Sequence, residues 1–132
     1  MKVEPPPDVV HRIVHERIAW ICTLRRDGSP HVTPIWFVFR DPTWWIGSSE
    51  RNVKVRNVES DARVSIALEG GLHPVVAEGK ATVRRSDFPP DVVAEFASKY
   101  DGWDVLEEWA GFGARVMLEV PTAKWLLAGT AQ

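Results

Sequence analysis

Cysteine is nearly absent. Cys22 stands alone inside an apolar run, so no disulfide can close within the chain, which suits a reducing compartment. No cationic residue neighbours it in sequence to activate it as a nucleophile. Long apolar runs are missing too: none approaches a membrane span, and the opening Met1-Lys2-Val3-Glu4-Pro5-Pro6-Pro7 lacks the apolar segment of a signal peptide. The chain therefore reads as cytoplasmic. Neither sign of charge dominates; a formal net charge of −2 gives no general pull toward nucleic acid or anionic lipid, so any anion site must be local. The same balance sets aside a nucleic-acid-binding barrel, despite the aromatics and one basic helix. Histidines are few, and His11 and His15, four apart, have no third ligand nearby, which leaves them as surface or core-edge residues rather than a metal pair.

What is abundant is tryptophan, seven in 132 residues. Flat aromatic surface serves planar ligands and subunit interfaces as well as cores. The length suits one domain, residues 1–132, with a single core, and residues 1–7 are expected to form a flexible N-terminal segment.

Along the chain, Asp8 is placed to cap a helix carrying Val9, Val10, Ile13 and Val14 on one side. Ile18 to Leu24 is apolar on both alternating faces and reads as a strand covered on two sides. Asp27-Gly28 turns it into a returning strand, His31 to Phe39. Pro34 breaks the ladder in the middle of that strand, leaving main-chain groups beside Trp36 that either bind the edge of a flat heterocycle or belong to an ordinary edge strand. Thr43 to Ile46 is a short strand ending at Gly47. The next stretch holds Ser48, Ser49, Arg51, Lys54 and Arg56. Either serine can cap a short helix whose free N–H groups, with Arg51 and Lys54 on one face, cradle a phosphate; the alternative is a solvated basic face. The flanking signals make Asn52 to Val58 a helix.

Val64 to Leu68 and Val75 to Val83 read as strands, with Gly79 marking a bulge or close approach. Glu78 is either an acid–base group or a solvent-facing carboxylate near Lys80. Phe88-Pro89-Pro90-Asp91 opens a helix striped by Val92, Val93, Phe96, Ala97 and Tyr100; Trp103 to Ala110 reads as another short helix. The last strand runs from Arg115 to about Leu127, interrupted at Pro121. The expectation is a mainly β fold with short helices: a closed or split β-barrel of about six antiparallel strands.

The order of hairpin, Thr33-Pro34-Ile35-Trp36-Phe37, short strand, Gly47-Ser48-Ser49, then Lys54, Arg56-Asn57-Val58 and Asp61-Ala62-Arg63-Val64 resembles the pyridoxamine 5′-phosphate oxidase-like family of FMN-binding split barrels. It is especially similar to the small branch that uses coenzyme F420, a deazaflavin. The resemblance implies a homodimer with cofactors in clefts at the subunit interface. Thr33, Pro34, Ile35 and Trp36 would lie along the tricyclic ring, Ser48, Ser49, Arg51 and Lys54 would hold the phosphate, and Asn57 would brace the helix against the strand end. Compared with the vitamin B6 oxidases the chain is shorter and lacks a C-terminal substrate-phosphate motif, which argues against pyridoxine 5′-phosphate as substrate. The implied activity is hydride transfer between reduced F420 and an unsaturated small-molecule acceptor, with no dedicated catalytic residue. FMN as cofactor, or a non-catalytic carrier or sensor using the same site, are the alternatives.

Overall fold

Short β-branched runs between Gly- and Pro-marked turns fold, in a computed structural model that describes residues 2–131, into eight antiparallel strands and three helices among the described residues. In chain order these are α1 (Pro7–His15), β1 (Ala19–Leu24), β2 (Pro30–Ile35), β3 (Phe37–Arg40), β4 (Thr43–Ser49), α2 (Val53–Ser60) and β5 (Arg63–Leu68). There follow β6 (Val75–Lys80), β7 (Thr82–Arg84), α3 (Pro90–Lys99) and β8 (Arg115–Ala128). The strand order is β2-β1-β5-β6-β8-β4-β3, with β7 also on β8. Although β2 and β3 are consecutive in sequence, they end opposite edges of this path and do not pair, so the barrel is split between them.

Two strands expected to be continuous are divided where the chain changes partners. Trp36 separates β2, which pairs with β1, from β3, which pairs with β4. Ala81 separates β6 from β7, its N–H turning to the carbonyl of Ala62. Conversely, Pro121 does not interrupt β8. It sits where β8 passes from β4 and β7 to β6, and the next N–H, of Thr122, bonds the carbonyl of Pro42 at 2.9 Å. Gly79 lies at a register shift against this crossing, where an added Cβ would stand 2.5 Å from the Pro121 carbonyl oxygen.

Other expectations are corrected. Pro6, not Asp8, occupies the N-cap of α1; Asp8 sits in the first turn without a capping bond, and the helix buries Val9 and Ile13. Within residues 1–7, Val3 donates to the Thr122 carbonyl and accepts from the Trp125 indole, while Met1 lies outside the described residues. β1 is covered on one face only, with Ala19, Ile21 and Thr23 buried and Trp20 39% exposed. Trp103 to Ala110 forms turns rather than a helix, with the Asp104 carboxylate accepting the Leu106 N–H at 2.9 Å and the Asp104 carbonyl the Glu107 N–H at 3.1 Å.

Apolar side chains divide into two packed groups. The barrel interior holds Ile21, Phe37, Trp44, Ile46, Ile66 and Leu118. A second group, with Val38, Trp45, Val92, Phe96, Tyr100 and Met117, fastens α3 to the outside of β3, β4 and β8. No described helix is long and apolar enough to cross a membrane.

Candidate functional site

Three segments meet at one end of the split. The corner between β2 and β3 brings Pro34, Ile35 and Trp36; the end of β4 and its turn bring Gly47, Ser48, Ser49, Asn52 and Lys54; the segment before β8 brings Trp103, Trp109, Phe112 and Arg115. Together they line a cleft of about 300 Å³. The last segment can lie on β4 only because residue 47 is glycine: a Cβ there would collide with Val105 and come within 3.2 Å of Arg115 Nη2.

The cleft's wall is aromatic and held rigidly. Trp36 is 46% exposed, yet its ring stacks on Tyr100 at 4.8 Å and 3°, and Trp103 meets it edge-on at 5.1 Å. Trp109 and Phe112 expose their rings at the rim.

The opposite end is cationic. Arg115 donates through Nη1 to Ser49 Oγ at 2.9 Å and through Nε to the Val105 carbonyl at 2.8 Å, with its guanidinium 5.8 Å from the Trp103 ring. Lys54 reaches only Asn52 Oδ1, at 3.1 Å. Among the described residues neither cation has a carboxylate partner. Burial, then the nearby Arg115 charge, holds the Lys54 amine below its ordinary range, and burial lowers Arg115 as well. Ser48, the neighbouring residue of β4 in the cleft lining, has its Oγ buried and unpartnered. An anion in the cleft would supply a countercharge to both cations.

The inner face of β2 continues this polar lining. Thr33 Oγ1 and His31 Nδ1, two residues apart on the same face, are also buried without partners. Burial first, then the charges of Arg25 and Lys54, holds His31 below its ordinary value, hence neutral at pH 7.

Of the residues singled out from sequence, Pro34, Ile35, Trp36, Ser48, Ser49 and Lys54 line the cleft, and Thr33 lies on the adjoining strand face. Two do not join them. Arg51 precedes α2 and is exposed at the rim, its N–H bonded to the Phe112 carbonyl; it shares no helical face with Lys54, because the helix begins only at Val53. Asn57 is buried on the far side of α2, where its amide donates to Thr23 Oγ1 at 3.0 Å and ties the helix to β1. Neither serine caps α2: both belong to β4, and Asn52 takes the N-cap position. Sequence reading missed Arg115, His31 and the aromatic segment from Trp103 to Phe112. A cation opening an apolar strand just after two closely spaced glycines was the available signal for Arg115.

A wider groove of about 560 Å³ between α1, β3 and α3 is a weaker candidate, since Arg40 is already paired with Glu95 and Asp91 and nothing aromatic stands open there. The rings of His11 and His15 on α1 lie 4.3 Å apart, tilted by 38°, and no group of three metal-ligating side chains occurs among the described residues.

A family model described as pyridoxamine 5′-phosphate oxidase matches residues 6–128. The chain belongs to this family. No functionally curated protein matches it. Among solved structures it is similar to an F420 reductase, at 19% identity and TM-score 0.68 over 87% of this chain and 94% of the other. A conserved hypothetical protein of Mycobacterium tuberculosis matches at 21% and 0.74, over 94% and 84%. An FMN-binding protein related to pyridoxamine 5′-phosphate oxidase from Nostoc punctiforme matches at 13% and 0.65, over 91% and 81%. At these identities the likeness is one of fold, the antiparallel split barrel of the family. The residues present fit a phosphorylated ring cofactor, with an aromatic wall, an unpartnered buried hydroxyl and two cations without countercharge in one cleft.

Proposed function

We propose that the cleft binds a phosphorylated flavin or deazaflavin, that coenzyme F420 is the cofactor, and that the protein is an oxidoreductase acting on an unsaturated small-molecule acceptor. One observation carries the reading: Lys54 and Arg115, neither in an ion pair among the described residues, line one aromatic cleft together with Ser48, whose hydroxyl is unpartnered. When bound, such a cofactor supplies two-electron hydride transfer. Lys54, Arg115, Ser48 and Ser49 hold the phosphate; Pro34, Ile35 and Trp36 set the plane of the ring and exclude water from one side. Among the described residues no carboxylate lines the cleft itself, and His31 stands on the adjoining face of β2, so the reading has solvent supply the proton.

Arg51, exposed at the rim and without an ion pair among the described residues, favours the deazaflavin with its longer polyanionic tail over FMN, while Arg56 lies on the other side of α2 with Asn57. We also propose a cytoplasmic homodimer that completes the cleft. Its volume is at the low end for a small-molecule site, and Trp36, Trp109 and Phe112 stand exposed at its mouth.

Titrating the protein with F420, FMN and riboflavin side by side tests the reading. Tight F420 binding with weaker FMN and negligible riboflavin binding is expected; no preference for the phosphorylated compounds overturns it. Reduced F420 is then offered quinones, enones and tetrapyrroles, and binding without turnover of any acceptor makes the protein a carrier or sensor.

A further inference from the structure

Immediately behind Trp36, the chain switches from one half of the barrel to the other, and two consecutive residues at the C-terminal end of α3 grip it there. Tyr100 is the chain's single tyrosine and is buried. Its hydroxyl accepts the Phe37 N–H at 2.8 Å and shares its one proton between the carbonyls of Arg17, at 2.8 Å, and Phe37, at 3.0 Å. The same side chain stacks on the Trp36 ring at 3°. Beside it, Lys99 donates to the Phe37 carbonyl at 3.1 Å and to that of Ile13 at 3.4 Å, with its ammonium 3.7 Å over the Phe37 ring.

An unpaired edge residue at a sheet switch has few ladder bonds to fix it. Here Phe37 has its N–H and carbonyl both fixed by side chains of α3, and Trp36 is wedged between Tyr100 and Trp103. We infer that Tyr100, with Lys99 beside it, is a positioning residue of the cleft: its hydroxyl fixes the backbone of Phe37 while its ring fixes the plane of Trp36. This rests on the cleft being the working site proposed above. Neither residue lines the cleft, and both act through Trp36.

Lys99 gives the arrangement a signature that packing alone lacks. Burial pulls its amine down to about 8, so its hold on the Phe37 carbonyl weakens through that pH. The charged or titratable groups around it are Glu95 on its own helix, Glu16 and Arg17 after α1, and His15, Arg40 and Asp41 in the same groove.

The test follows the Trp36 indole by NMR in cofactor-free protein, then FMN and F420 binding, in wild type, Tyr100→Phe and Lys99→Met. In wild type the Trp36 signal should titrate with a midpoint near pH 8, and Lys99→Met should abolish that titration. Tyr100→Phe, which keeps the ring, should broaden or shift the Trp36 signal, change the bound cofactor's visible spectrum and weaken its binding about fivefold, the equivalent of one lost hydrogen bond. If both variants merely lower the melting temperature while the Trp36 signal and cofactor spectrum stay as in wild type, the positioning role is overturned. If Trp36 responds as stated but neither cofactor binds any of the three proteins, positioning stands and the proposed function falls.

Discussion

Lys54 and Arg115 converge on one cleft from opposite sides, 61 positions apart in sequence, and neither has a carboxylate partner among the described residues. Two desolvated cations left facing each other cost folding energy that an anionic ligand would return. Replacing either by alanine should therefore weaken FMN or F420 binding roughly 10- to 100-fold, the loss of a charged hydrogen bond, and barely change riboflavin binding. Isothermal titration with all three compounds checks this; equal losses for FMN and riboflavin would remove the anion assignment. Because an anion raises the depressed proton affinity of the Lys54 amine, complex formation in alkaline buffer, where that amine is partly deprotonated, should take up protons, measurable as a buffer-dependent binding enthalpy.

Trp36→Ala removes the ring stacked between Tyr100 and the cleft. Its expected result is a shifted absorption spectrum of the bound cofactor and an altered preference among acceptors, with phosphate recognition intact. Unchanged spectra and kinetics would reduce Trp36 to a packing residue.

The bond from Asn57 to Thr23 is buried on both sides. Asn57→Leu and Thr23→Val should each cost about 1–3 kcal/mol by orphaning the partner, and the double variant less than the sum. Urea unfolding of the four proteins gives the coupling. Cofactor affinity, corrected for folding, should move little, since Asn57 lies outside the cleft.

Stability should pass through a maximum near pH 10. Lys99 is pulled down to about 8 from 10.5, so between those values the unfolded chain holds more protons than the folded one and stability rises with pH. Burial pushes Tyr100 up from 10.0 to about 12, so above pH 10 the unfolded chain gives up a proton that the folded one keeps and stability falls. Urea midpoints from pH 8 to 12 should lose the rise in Lys99→Met and the fall in Tyr100→Phe.

Much of this was legible in the sequence where the signal is local. Asp27-Gly28 announces the β1–β2 turn, with Gly28 at φ +85°; Pro34, expected to break the ladder, instead stays in register opposite Trp20 within β2, and the strand changes partner two residues later at Trp36. Serines before and an acidic cluster after residues 52–58 settled a helix that periodicity left open. What was not legible depends on distant pairings. Arg115 enters the cleft because Ser49 and Arg115 face each other in the β4–β8 register, and nothing near either residue encodes that alignment. The strand count was low because β3 and β7 are set off by changes of partner at Trp36 and Ala81, which leave the hydrophobic alternation almost unbroken. The aromatic segment after Gly102 read as a helix because its apolar spacing suits one, whereas its backbone runs through turns.

The long strand β8 touches β4, β6 and β7, yet follows all of them in chain order. On a ribosome, the two halves of the barrel must wait for that strand to emerge before anything joins them, and until then β4 and β6 present bare edges to the surroundings. Folding should accordingly be slow to start and abrupt to finish, and a nascent chain stalled before Arg115 should lean on chaperones far more heavily than one released a few residues past Ala128.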